Sequence, residues 1–225
     1  MIRAAIFDLE NTLVRNSYLS ITEKATAEAI SKVLELPPKV ALELFKVCKK
    51  LYPSSTATIQ AMGVPKELFH AYLGKVEFKD RLRTPPMTKT AIVQLKRNNI
   101  KIGLLTNAPL DLCLKILAAA KIDSANFDSI VTGDQVKETK PSIEPFAKIL
   151  NNLQLPSKKA IMVGDRPKVD LKPAKKLGMY TFLVSPVFNK NKLPEDVDAK
   201  SSNMIEVVHF IKAVNRRSNK TLNSA

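Results

Sequence analysis

Ala4-Ala5-Ile6-Phe7-Asp8-Leu9-Glu10-Asn11-Thr12 is the stretch on which the reading of this chain turns. A short apolar run of strand type delivers an acid, Asp8, and a second acid, Glu10, follows two residues later. Three further pieces come in order: Leu104-Leu105-Thr106-Asn107, Lys140-Pro141, and Val163-Gly164-Asp165 followed by Asp170. Between and after them, apolar strand-like runs at 101–105, 129–132, 160–163 and 180–184 alternate with helical patterns at 88–97, 109–120, 142–153 and 168–177. Strands that alternate with helices over short connections build a doubly wound parallel α/β sheet. Ligands of such sheets bind beyond the carboxyl ends of the strands, which is where these four motifs fall.

Residues 22–85 follow a different rule. Amphipathic helical patterns run from Thr22 to Leu34, from Val40 to about Leu51, over Ala57–Met62 and over Lys66–Leu73, broken at Pro37-Pro38 and Pro53-Ser54-Ser55. The spacing predicts an all-helical domain at 16–86 inserted into a core made of 1–15 and 87–225. A terminal helix is expected at 203–215, packing Ile205, Val208 and Phe210 or Ile211, followed by a frayed basic tail from Arg216.

Composition narrows the function classes. The 36 basic and 21 acidic residues give a net charge of +15, which favours anionic partners. Aromatic residues make up only 6% and Trp is absent, so no specific nucleic-acid binding is expected. No apolar stretch reaches the roughly 18 residues of a membrane span, and the N-terminus lacks a secretory pattern, so the expected location is cytoplasmic and no membrane partner is expected. Cys48 and Cys113 carry no metal-type spacing, and His70 and His209 show no partner pattern.

The residue types suit phosphoryl transfer. Asp8 is a candidate nucleophile, since a carboxylate can attack phosphorus and split hydrolysis into two easier steps; a strand-end Asp also simply caps turns. Glu10 is the candidate general acid and base, carried round a turn in which Asn11 tolerates a left-handed backbone. Thr106, with the Asn107 N–H, can donate to phosphate oxygens or cap the next helix. Lys140 can offset developing charge. Asp165, supported by Asp170, offers hard oxygens to Mg2+. Arg166 lies beside that cluster and is a candidate for touching the substrate.

These motifs resemble the haloacid dehalogenase superfamily, over about residues 1–15 and 88–185. The resemblance implies a Rossmann-like core with an inserted helical cap and a Mg2+-dependent phosphatase acting on a small phosphorylated metabolite. It implies an aspartyl-phosphate on Asp8, phosphate binding by Thr106 and Asn107, and stabilisation by Lys140. It implies metal binding by Asp8, Asp165 and Asp170 and by the backbone carbonyl of Glu10. In the family's phosphatases the position of Glu10 is usually Asp, so the longer Glu10 opens an alternative: a phosphate- or anion-binding protein with weak catalysis. Dehalogenase or phosphonate-cleaving chemistry fits less well, because Glu10 is an acid. Tyr18, Lys50, His70 and Arg81 are the candidate residues of the inserted segment for choosing the substrate.

Overall fold

The computed structural model describes residues 1–15, 19–80, 82–185 and 193–223; Tyr18 and Arg81 lie outside them. In chain order the elements are β1 (Ala4–Phe7), α1 (Leu19–Leu34), α2 (Pro38–Cys48), α3 (Ser55–Ala61), α4 (Lys66–Gly74), α5 (Thr88–Arg97), β2 (Lys101–Leu105), α6 (Leu110–Ala119), β3 (Ser129–Val131), α7 (Glu144–Asn152), β4 (Ala160–Gly164), α8 (Lys172–Lys176), β5 (Tyr180–Val184), β6 (Ala199–Ser201) and α9 (Ile205–Asn223). The sheet is parallel throughout, in the order β3-β2-β1-β4-β5-β6. The strand order reverses between β1 and β4, and that is where a crevice opens at the carboxyl ends of the strands.

The unbroken apolar runs have a physical reason. Successive side chains of a strand point to opposite faces, and both faces here are covered. Ala5, Phe7, Ile102, Leu104, Ile161 and Val163 join one apolar cluster with α5, α6 and α9. Ala4, Ile6, Leu105, Val131 and Met162 join a second cluster with Phe146, Ile149 and Leu150 of α7. Helix α9 is pinned by Asn215, which accepts from Ile2 N at 2.5 Å and donates to Ile2 O at 3.0 Å. That anchor lets the helix run to Asn223, past the Arg216 at which fraying is expected from sequence. As expected, Val208 is buried, and of the Phe210–Ile211 pair it is Ile211 that is fully covered.

The segment between β1 and α5 contains α1 to α4 and no strand among the described residues. α1 packs on α2 and α4, and α4 packs on α6. Polar ties also join the segment to the sheet side. Lys66 Nζ donates to Val136 O at 2.6 Å, Lys115 Nζ donates to Gly74 O at 2.8 Å, and Arg15 N donates to Arg83 O at 2.8 Å.

Two local departures from the sequence pattern matter. The helix expected from Lys168 begins instead as a wide π-type turn, Pro167–Leu171, before α8. Within this turn Asp170 reaches back to accept from Arg166 N at 3.1 Å. A further edge strand, β6, has the sequence Ala-Lys-Ser, which carries no apolar run.

Phe146 is fully buried in the second cluster. Phe146→Ala is expected to cost about 3–5 kcal/mol, read as a lower urea midpoint at unchanged slope.

Candidate active site

Three neighbouring strands, β1, β2 and β4, each deliver a group to the crevice. β1 ends at Phe7, so the next residue, Asp8, emerges where its N–H donates to Val163 O at 2.9 Å. The chain then turns sharply. Leu13 N and Val14 N both donate to Leu9 O at 3.0 Å, and Asn11 takes φ +57°, the left-handed geometry expected of it. β2 delivers Thr106, whose Oγ1 accepts from Ala108 N at 3.1 Å, satisfying a donor just ahead of α6 and leaving its own O–H to donate. β4 delivers Asp165. Gly164 is required there by close approach: a Cβ would lie 2.6 Å from Asp170 Cβ.

The centre is held by a buried ammonium. Lys140 Nζ donates to Asp8 Oδ1 at 2.6 Å, Asp170 Oδ1 at 2.7 Å and Leu105 O at 2.9 Å. Its backbone is gripped by Asn107, which accepts from Lys140 N and donates to Lys140 O, both at 2.9 Å. The Lys140–Pro141 peptide is cis. Glu144 fastens the approach to this segment by accepting from Lys137 N and Glu138 N, each at 2.8 Å. The side chain of Asn107 is thus committed to Lys140, and its N–H is the group left for a ligand role.

Oxygens of Asp8, Asp165 and Asp170 lie within 4.8 Å of one another. Asp8 Oδ2 and Asp165 Oδ1 are buried with no hydrogen-bond partner, whereas both oxygens of Asp170 are engaged. Burial pushes the Asp8 carboxyl up to about 7, with Lys140 opposing and Asp170 reinforcing the shift. Burial and then Asp170 push Asp165 up to about 6. Lys140 stays charged, because Asp170 and Asp8 outweigh the burial that would lower it. Crowded, desolvated carboxylates with two orphan oxygens fit a hard divalent cation, which would supply the missing ligands to both.

Above the acids a cavity of about 90 Å3 lies between the sheet and the inserted helices. Glu10, Asn107 and Arg166 line it from one side, and Thr26, Phe45, Lys49, Ser54 and Phe69 from the other. Glu10 therefore faces the cavity and is not part of the acid trio. Lys50 and His70 do not line it. Lys49 takes the place expected of Lys50, with its Nζ 5.5 Å over the Phe45 ring. His70 is buried beside Gly133, with neither ring nitrogen partnered, and burial lowers its pKa to about 4. His70 and Asp134 line the same small pocket, a proximity that a sequence separating them by more than sixty residues does not show.

The chain belongs to the haloacid dehalogenase-like hydrolases, whose family model matches residues 5–184. It is 27% identical to a glyceraldehyde 3-phosphate phosphatase of Methanocaldococcus jannaschii over 198 residues, 80% of this chain and 84% of that protein. It is 27% identical to a phosphoglycolate phosphatase of Aquifex aeolicus, covering 92% of this chain and 96% of the relative. The crystal structure of a HAD phosphatase from Thermococcus onnurineus shares the fold, with a TM-score of 0.68 at 21% identity over 93% of this chain and 98% of that one.

Lys140→Met leaves Asp8 and Asp170 buried without their cation. In chelator near pH 7.5 it is expected to cost about 3–5 kcal/mol of unfolding free energy. Burial already holds the Asp8 pKa above its unfolded value, and without Lys140 it rises further, so the variant regains stability as pH falls and Asp8 protonates. Urea melts at about pH 7.5 and about pH 5 should show the gap to the parent protein narrowing at the lower pH.

Proposed function

We propose that this hydrolase is a Mg2+-dependent phosphatase that cleaves a small phosphomonoester through an aspartyl-phosphate on Asp8. The observation that carries the reading is the state of Asp8: one oxygen is pinned by Lys140 and the other is buried without a partner at the strand-order switch point. Asp8 Oδ2, Asp165 Oδ1 and the backbone carbonyl of Glu10 would hold Mg2+, with Asp170 supporting them. The cation would neutralise charge between the acids and an anionic substrate.

In the first step a bond forms between an Asp8 carboxylate oxygen and phosphorus while the ester P–O bond breaks. The departing alkoxide takes a proton from the Glu10 carboxyl. In the second step the Glu10 carboxylate removes a proton from water, which attacks phosphorus; inorganic phosphate leaves and the Asp8 carboxylate is restored. Lys140 keeps Asp8 oriented, and the Thr106 hydroxyl and Asn107 N–H face the phosphoryl oxygens.

We also read residues 16–86 as a cap domain on a core made of 1–15 and 87–225, since four helices interrupt the sheet sequence after β1. The cavity beneath it sets the scale of the substrate. Pockets for drug-sized ligands run to roughly 300 Å3 and more, and about 90 Å3 beside the acids suits a leaving group of a few carbon atoms. The relatives named for glyceraldehyde 3-phosphate and phosphoglycolate support that size class. No described helix is long and apolar enough to cross a membrane, and we assign the protein to the cytoplasm.

The test is phosphate release from a panel of two- and three-carbon phosphomonoesters with Mg2+ and with chelator. Turnover should require the cation and fall by at least about a thousandfold in Asp8→Asn. Glu10→Gln should lose about a hundredfold or more. Undiminished release by Asp8→Asn would remove Asp8 from the chemistry. Binding of phosphate without any turnover would favour the anion-binding alternative.

A further inference from the structure

In this family reading one cation beside the acids has no task, and it is the one the cavity exposes. The ammonium of Lys140 has three N–H bonds, and Asp8, Asp170 and Leu105 O take all three. The side chain is fully buried. A phosphoryl group arriving at Asp8 therefore finds no free donor on Lys140 unless an existing contact breaks.

Arg166 is arranged differently. It follows Asp165 directly and lines the cavity with Glu10 and Asn107. The acids around it are Asp8, Asp165, Asp170 and Glu10. Yet it forms no ion pair with any of them among the described residues. Among the described residues its one side-chain hydrogen bond is from Nη1 to Pro53 O of the inserted segment, at 3.3 Å. A planar guanidinium carries five N–H donors in a fixed fork suited to phosphate oxygens. Most of that fork is unused, half-buried, and next to the proposed nucleophile.

We propose that Arg166 is a substrate-binding residue that holds the phosphoryl oxygens directly, and that its contact with Pro53 joins the inserted segment to the same fork. The inference rests on the phosphatase reading and adds to it the group that reads the phosphoryl anion. Lys140 then organises the acids, and Arg166 meets the ligand.

The experiment uses the full chain with Mg2+ and compares the parent protein with Arg166→Gln and Arg166→Lys. Three quantities are measured: KM for a carboxylated and a neutral two-carbon phosphomonoester, inhibition by inorganic phosphate, and direct binding of inorganic phosphate by calorimetry. Arg166→Gln is expected to raise KM for both esters, and the inhibition constant of inorganic phosphate, by about ten- to a hundredfold. Arg166→Lys should recover part of the loss, because it keeps the charge without the fork. Unchanged phosphate inhibition and binding in a folded Arg166→Gln would overturn the proposal. A loss confined to the carboxylated ester would also overturn it, by assigning Arg166 to the leaving group. If Arg166→Gln does not fold, Arg166→Lys decides: parent-like phosphate affinity contradicts a fork on the phosphoryl group. Absence of turnover in the parent protein would count against the phosphatase reading alone, since phosphate binding by the same variants still decides the role of Arg166.

Discussion

One buried ammonium determines how this site is built. Lys140 joins the ends of three neighbouring strands: Asp8 after β1, the last carbonyl of β2 at Leu105, and Asp170 just beyond β4. Removing charges from water costs several kcal/mol per ion, and the cost is recovered only when geometry and hydrogen bonding are nearly complete. Here the ammonium has every donor satisfied, and Asn107 holds its backbone from both sides. The same arrangement leaves the opposite oxygen of Asp8 without a partner. Full satisfaction on one side and an orphan acceptor on the other give a carboxylate that is fixed in place yet open to a cation or an electrophile. Gly164 completes the arrangement by letting Asp170 come within reach of both Lys140 and Arg166 N.

Much of this was legible in the sequence because the controlling patterns are local. Apolar runs such as 4–7 and 160–163 predict strands buried on both faces, and the residues following them fall at the carboxyl ends of a parallel sheet. Asn11 announces its left-handed turn through its own side-chain chemistry. What could not be read depends on contacts distant in sequence. β6 is a polar edge strand of three residues whose pairing with β5 is a tertiary matter. The π-type turn at Pro167–Leu171, in which Asp170 accepts from Arg166 N, is a departure that helical spacing does not announce. Helix α9 outlasts its expected end because Asn215 finds Ile2. Lys49 rather than Lys50 reaches the cavity because both lie in the turn just past α2, where helical spacing no longer sets the direction of a side chain.

The inserted helices bring a different chemistry to the same crevice. Their contribution to the cavity is mixed, with Phe45 and Phe69 beside Thr26, Ser54 and Lys49, while the sheet side supplies charge. That division suits a reaction in which the core performs the same bond-breaking on any phosphoryl group and the helices judge what is attached to it. The ties at Lys66, Lys115 and Arg166 run mostly from long cationic side chains to backbone carbonyls. Such contacts are individually weak in water, so they can hold the segment over the crevice and still release it between turnovers.

In the proposed reaction Asp8 carries the phosphoryl group. The most direct measurement is to mix the protein with Mg2+ and a turned-over phosphomonoester, quench in acid, reduce with borohydride, and determine the mass of the tryptic peptide spanning residues 4–15, which is flanked by Arg3 and ends at Arg15. An acyl-phosphate at Asp8 is reduced to homoserine, and the account predicts homoserine at position 8 only when substrate and cation are both present. An unreduced Asp8 in a protein that releases phosphate under the same conditions would contradict it.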